Sequence, residues 1–88
     1  DGIGVNENTI FEWSIYPNPL KNNTTITFTN PNYEEFTIQI FSVSGEIVYA
    51  SKTNDCQHKI YNNFSPGYYI MEIKSKEYIG NEILIIEK

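Results

Sequence analysis

The residues of this 88-residue chain best suited to nucleophilic or metal chemistry stand together: Cys56, His58 and Lys59. In a strand Cys56 and His58 share a face. His58 is the single histidine and Cys56 the single cysteine, so no third nitrogen or sulfur ligand exists to complete a zinc site. A Cys/His nucleophile pair needs direct hydrogen-bond contact, a third group to orient the base and an oxyanion donor in a cleft. So small a chain offers little concavity, and a partly exposed edge strand accounts for these residues more simply. No catalytic residue, metal or cofactor is therefore expected, and the chain is read as a non-enzyme.

The other candidates are weaker. Glu34 and Glu35 are adjacent, and neighbours on a strand face opposite sides, so they cannot share a proton; Glu7 and Glu12 are a looser pair. Asp1, Asn6, Glu7 and Asn8 offer oxygens for calcium without the spaced pattern and closing glutamate of a calcium loop. Glycosylation triplets begin at Asn22, Asn23 and Asn63, as chance allows in an asparagine-rich chain, and receive no function. Among seven tyrosines, Tyr61, Tyr68 and Tyr69 gather around one corner, where they suit a carbohydrate platform or simply close a small core.

The net charge is −5, and all six basic residues are lysines. Without arginine the bidentate contacts favoured for phosphate and guanine are missing, so nucleic acid is not an expected partner. Hydrophobic content of 40% with only 19% charged residues supports one compact domain, and the length leaves no room for a second core. A lone cysteine forms no intrachain disulfide, so packing has to hold the fold. The longest apolar run, Ile83 to Ile86, is strand-sized, far below the ~20 residues that span a bilayer. The start at Asp1, with no export signal behind it, is expected of a piece cut from a longer precursor.

Residues 1–9, "DGIGVNENT", have the composition of a linker from an upstream domain, and residues 10–88 are expected to form the folded unit. Strand-like runs then recur about every ten residues between Pro, Gly and Asn clusters. They are expected at Ile10–Tyr16, Thr24–Thr29, Glu35–Phe41, Glu46–Ala50, Asp55–Tyr61, Tyr68–Lys74 and Tyr78–Glu87. Ile26 and Phe28 alternate with threonines, and Phe36, Ile38 and Ile40 with Glu35, Thr37 and Gln39, which sets their inward faces. Ser44-Gly45 turns one hairpin, and the diluted Asp55–Tyr61 run suits an edge. No apolar spacing of three and four persists for a helix, so the fold is all-β.

"YPNP", Tyr16 to Pro19, removes two backbone donors and fixes two φ angles, so it has to turn the chain out of its first sheet. In company with "FSVSGEIVY", "FSPGYYIMEI" and the closing "EILIIEK", it resembles the C-terminal sorting domain of type IX secretion cargo in Bacteroidetes. The resemblance runs from Ile15 to Lys88. It implies an immunoglobulin-like β-sandwich of about seven strands at the C-terminus of a larger cargo. It also implies recognition in the periplasm by the secretion machinery, an outer-membrane shuttle protein and a cell-surface sortase among them. The cargo then reaches the cell surface or the medium, and the domain is usually removed. The matching signature residues are Tyr16, Pro17, Asn18, Pro19, Gly45, Ser65, Pro66, Gly67, Tyr68, Ile85, Ile86, Glu87 and Lys88. Cleavage is implied before Trp13, within residues 1–9. One departure from the family pattern is Ser44, where a leucine or asparagine-like residue often precedes the glycine, and the lack of arginine is a second.

The last strand is apolar on both faces, Ile83 and Ile85 on one and Leu84 and Ile86 on the other, whereas a small sandwich uses one face for its core. The surplus face and any unpaired edge offer a receptor a docking strip, with strand addition supplying backbone hydrogen bonds. A neighbouring loop or a dimer partner covering the strip is the equal alternative, and pairing of two copies through their edges stays open. The competing function is a carbohydrate- or surface-binding module of a secreted enzyme.

Overall fold

The computed structural model describes residues 11–19 and 22–87. The expected linker, residue Ile10 and the terminal Lys88 lie outside the described residues. Seven strands form: β1 Trp13–Tyr16, β2 Asn23–Phe28, β3 Phe36–Ser42, β4 Ile47–Thr53, β5 Gln57–Tyr61, β6 Gly67–Lys74 and β7 Ile79–Ile86. All seven match expected runs, and the diluted run is an edge strand as its composition suggested. The main difference is at the first, where the strand begins only at Trp13. Phe11 instead leaves the ladder and stacks on Phe36 and Tyr78, with ring centroids 5.7 and 4.8 Å away.

Two antiparallel sheets result, one of three strands in the order β1-β2-β5 and one of four in the order β4-β3-β6-β7. The alternation in β2 and β3 explains the layering, because each sends every second side chain inward. Ile15, Ile26, Phe28 and Ile60 from one sheet meet Phe36, Ile38, Ile40, Met71, Ile73, Leu84 and Ile86 from the other. Phe28 and Phe36 make the contact between layers directly, at 4.8 Å between centroids. Burying each such side chain contributes about 1.5–3 kcal/mol before conformational entropy opposes it. The result is a small antiparallel β-sandwich.

The β3–β4 hairpin closes through Gly45, whose φ of 94° lies in the left-handed region. Gly45 N–H donates to Ser42 C=O at 2.9 Å, and Ser42 N–H donates to Glu46 C=O at 2.8 Å. A register shift between Ile40 and Phe41, just before the turn, brings Phe41 opposite Ile47.

Candidate recognition surface

The four sequence segments that carry the signature converge at one end of the sandwich. β1 ends at Tyr16 and β2 begins at Asn23, opposite Tyr61 at the end of β5. In the other sheet β6 begins at Gly67 opposite Ile86, and β3 ends at Ser42 opposite Tyr69. Asn62 joins the two layers there. Its backbone N–H donates to Asn22 C=O at 2.9 Å, and its side-chain amide donates to Glu87 C=O at 3.3 Å. Asn62 Oδ1 also accepts from Phe64 N–H at 3.1 Å, a side-chain turn that launches "FSPG" toward β6.

The corner is tied to the tail by one side chain. The peptide bonds Tyr16–Pro17 and Asn18–Pro19 are both cis. Asn18 Nδ2 donates to Ile83 C=O at 3.1 Å and to Glu82 Oε2 at 3.2 Å, while its Oδ1 accepts from Ile85 N–H at 3.1 Å. An amide pairing with the C=O of one residue and the N–H two residues on does what a neighbouring strand would do. Asn18 thus occupies the free edge of β7 at Ile83 and Ile85, where strand addition had been expected to have open access. Pro17 C=O, in the same corner, accepts from the buried Thr24 Oγ1 at 2.9 Å.

Further along the same side, Trp13 of β1 lies over Gly80 of β7. A Cβ on Gly80 would come 2.4 Å from the indole Nε1, so only glycine lets the two edge strands approach. On the opposite side, β4 and β5 meet through Tyr49 Oη and His58 Nε2, 2.7 Å apart.

The signature residues differ in what they expose. Tyr16 and Tyr68 are 59% and 65% exposed, and Pro17, Pro19, Gly45, Ser65, Pro66, Gly67 and Glu87 also face solvent. Asn18 and Ile85 are half-buried and Ile86 is buried. Tyr69 Oη donates to Ser65 C=O at 2.7 Å, which folds "FSPG" onto β6.

Of the chemically capable residues, His58 is the strand partner of Ile26, turns inward and is half-buried, and burial lowers its pKa from 6.5. Cys56 lies just before β5, exposed. Glu34 and Glu35 precede β3, and Glu34 is held through its backbone by Asn30. Among the described residues no group of three His, Cys, Asp or Glu is placed to hold a metal. The three clustered tyrosines separate: Tyr61 and Tyr69 line a groove of about 450 Å³ along the β4–β5 side, and Tyr68 stands on the outer face of the four-stranded sheet.

Sequence reasoning missed Asn30, Asn62 and the Trp13–Gly80 contact. Asn30 is 7% exposed and anchors the end opposite the signature, its Nδ2 donating to Glu34, Asn54 and Asp55 carbonyls at 2.9, 3.2 and 3.0 Å. Its one sequence signal was an asparagine followed by proline, which marks a turn but not its partners.

Comparison with known proteins agrees with the resemblance noted from the sequence. A family model described as a secretion system C-terminal sorting domain matches residues 14–87. The chain is also 34% identical over 77 residues to an ulvan lyase of Nonlabens ulvanivorans, covering 85% of this chain. It spans 14% of that lyase's length.

Proposed function

The chain belongs to the type IX secretion C-terminal sorting domain family, and from that premise we propose that it is a folded address read at the signature end of the sandwich. A domain of this kind marks a cargo protein for export to the cell surface or the medium. In our reading an outer-membrane shuttle protein and then a sortase engage the end where "YPNP", Gly45, "SPGY" and Ile85 to Glu87 meet, and the sortase cuts before Trp13. The address carries no reaction of its own. Its task is to present a rigid surface, and the activity belongs to whatever precedes it.

One observation carries this reading: Asn18 is bonded to Ile83 and Ile85, 65 and 67 residues further along the chain. Two distant signature segments become one surface only in the folded state, so the fold, rather than a linear peptide, is what a receptor meets.

A reporter fused ahead of Asp1 tests it in a host with type IX secretion. The complete chain is expected to send the reporter to the medium with the sorting domain missing by mass spectrometry. Removal of Ile83 to Lys88 is expected to leave it in the periplasm. Normal export after that truncation, or a mature reporter that retains the whole domain, would count against the proposal.

A further inference from the structure

The outer face of the four-stranded sheet is divided by its register. One row across the sheet reads Ala50, Gln39, Glu72 and Asn81, and the next toward the signature end reads Ile47, Phe41, Ile70 and Ile83. Beyond it Tyr68 pairs with Ile85. Ile47, Ile70, Ile83 and Tyr68 are 55%, 45%, 61% and 65% exposed, and Phe41 and Ile85 are half-buried. With strands about 4.8 Å apart and like-facing residues about 7 Å apart, the six side chains cover on the order of 300 Å². A contiguous apolar patch of about 300 Å² lies within the range in which the largest patch of a monomer is often functional.

Charge around the patch says what covers it. Glu72 stands on the same face one row away, Glu46 precedes Ile47 in the hairpin, and Glu87 follows β7. The lysines of this sheet, Lys52 and Lys74, lie at its far end, both opposite Thr37. Among the described residues the charged groups of this sheet nearest the apolar rows are therefore carboxylates, beside the uncharged Gln39, Ala50 and Asn81. A second copy docking face to face would set glutamates against glutamates, and an anionic lipid surface would repel them. The edge of β7 beside the patch is taken at Ile83 and Ile85 by Asn18, so the sheet face is presented there and not a strand slot.

We infer that the outer face built on Ile47, Phe41, Ile70 and Ile83, with Tyr68 and Ile85, docks a second protein whose contact face is apolar and bordered by lysine or arginine. This rests on the sorting function proposed above and names the surface by which it is read. The small area fits a contact made and released during export, not a permanent complex.

The full chain, fused to the reporter, tests it with Ile70→Glu/Ile83→Glu against a control on the other sheet, Thr25→Glu/Thr27→Glu. Circular dichroism and a thermal melt establish that both variants fold. The patch variant is expected to lower the exported fraction about tenfold, and the control to export as wild type. Purified chain is also titrated against the host's purified outer-membrane shuttle protein in detergent. Binding is expected to weaken about tenfold in the patch variant and in Glu46→Lys/Glu72→Lys/Glu87→Lys, and to weaken as salt rises to about 0.3 M. Normal export and binding by a folded patch variant overturn the inference while leaving the sorting function standing. So do a salt-independent affinity unchanged by the charge reversal, a chain dimer that the patch variant dissolves, or binding to anionic vesicles that the patch variant abolishes. If the wild-type fusion is not exported, the sorting function fails, and the binding titration alone decides the patch.

Discussion

The two outer faces of this sandwich are built from the same pleat and have opposite character. On the three-stranded sheet the outward rows are Ser14, Thr27 and Gln57, then Tyr16, Thr25 and Lys59, with Ser14 Oγ and Thr27 Oγ1 3.0 Å apart. On the four-stranded sheet the corresponding rows at the signature end are isoleucine, phenylalanine and tyrosine. The polar face is what water selects on a domain with one core to bury. The apolar face gains nothing for folding beyond local cross-strand contacts worth a few tenths of a kcal/mol to about 1 kcal/mol each. Stability therefore lives between the sheets, and one outer sheet face joins the signature end as a surface for recognition.

If that division is right, the largest loss of stability comes from the shared interior. Ile38 is fully buried in the middle of β3, and Ile38→Ala is expected to cost about 3 kcal/mol through lost burial and the cavity left behind. Chemical denaturation measures it, and a loss below about 1 kcal/mol would mean that the two layers are not tightly packed there. Export should fail in this variant too, through unfolding rather than through the surface.

The joint between edge strands ranks next. Gly80→Ala drives a methyl into the Trp13 indole and is expected to cost about 2 kcal/mol, with a shift in tryptophan fluorescence, since Trp13 is the single tryptophan. Asn18→Ala removes three hydrogen bonds from half-exposed surroundings and is expected to cost about 1 kcal/mol. It also frees Ile83 C=O and Ile85 N–H, so amide exchange at Ile85 should quicken while exchange at Ile38 stays slow. Unchanged protection at Ile85 would remove the edge-closing role of the corner.

How much of this could be read from the sequence depends on the range of each interaction. Alternation in β2 and β3 is a local signal, and it located the core correctly at Ile26, Phe28, Phe36, Ile38 and Ile40. The doubled apolar pattern of β7 was equally local and pointed to a surplus face, since Leu84 and Ile86 are buried and Ile83 is not. What stayed hidden was which residues share a row across four strands, because register depends on pairing partners far apart in the chain. Asn18 shows the same limit. Its prolines announced a turn, but an asparagine side chain does not reveal that its partners lie 65 and 67 residues away. Gly80 carries no local signal that Trp13 packs above it.

Removing the apolar character of the patch sharpens the contrast, because it should cost little. Ile70→Thr and Ile83→Thr keep the β-branched shape on an exposed sheet face, so the unfolding free energy is expected to move by no more than about 1 kcal/mol while export drops. A large destabilisation would show that the face contributes to folding after all, and the division between the two faces would collapse.

The smallest effect comes from the single histidine, His58, which lies between the faces. His58 is half-buried against Tyr49, and burial lowers its pKa from 6.5, so the folded state prefers the neutral ring. Above pH 6.5 neither state holds the extra proton and stability is level. As pH falls below that value the unfolded chain takes up a proton that the folded chain resists, so stability declines toward the lowered native pKa. A thermal melt followed from pH of about 7.5 to about 5.5 should show a shallow fall that His58→Gln flattens. The Tyr49–His58 contact joins β4 to β5 and belongs to neither outer surface. The same pH slope is therefore expected in the Ile70→Thr/Ile83→Thr background. A slope that vanished there would couple the ring to the recognition face, and one that survived His58→Gln would place the titrating group elsewhere.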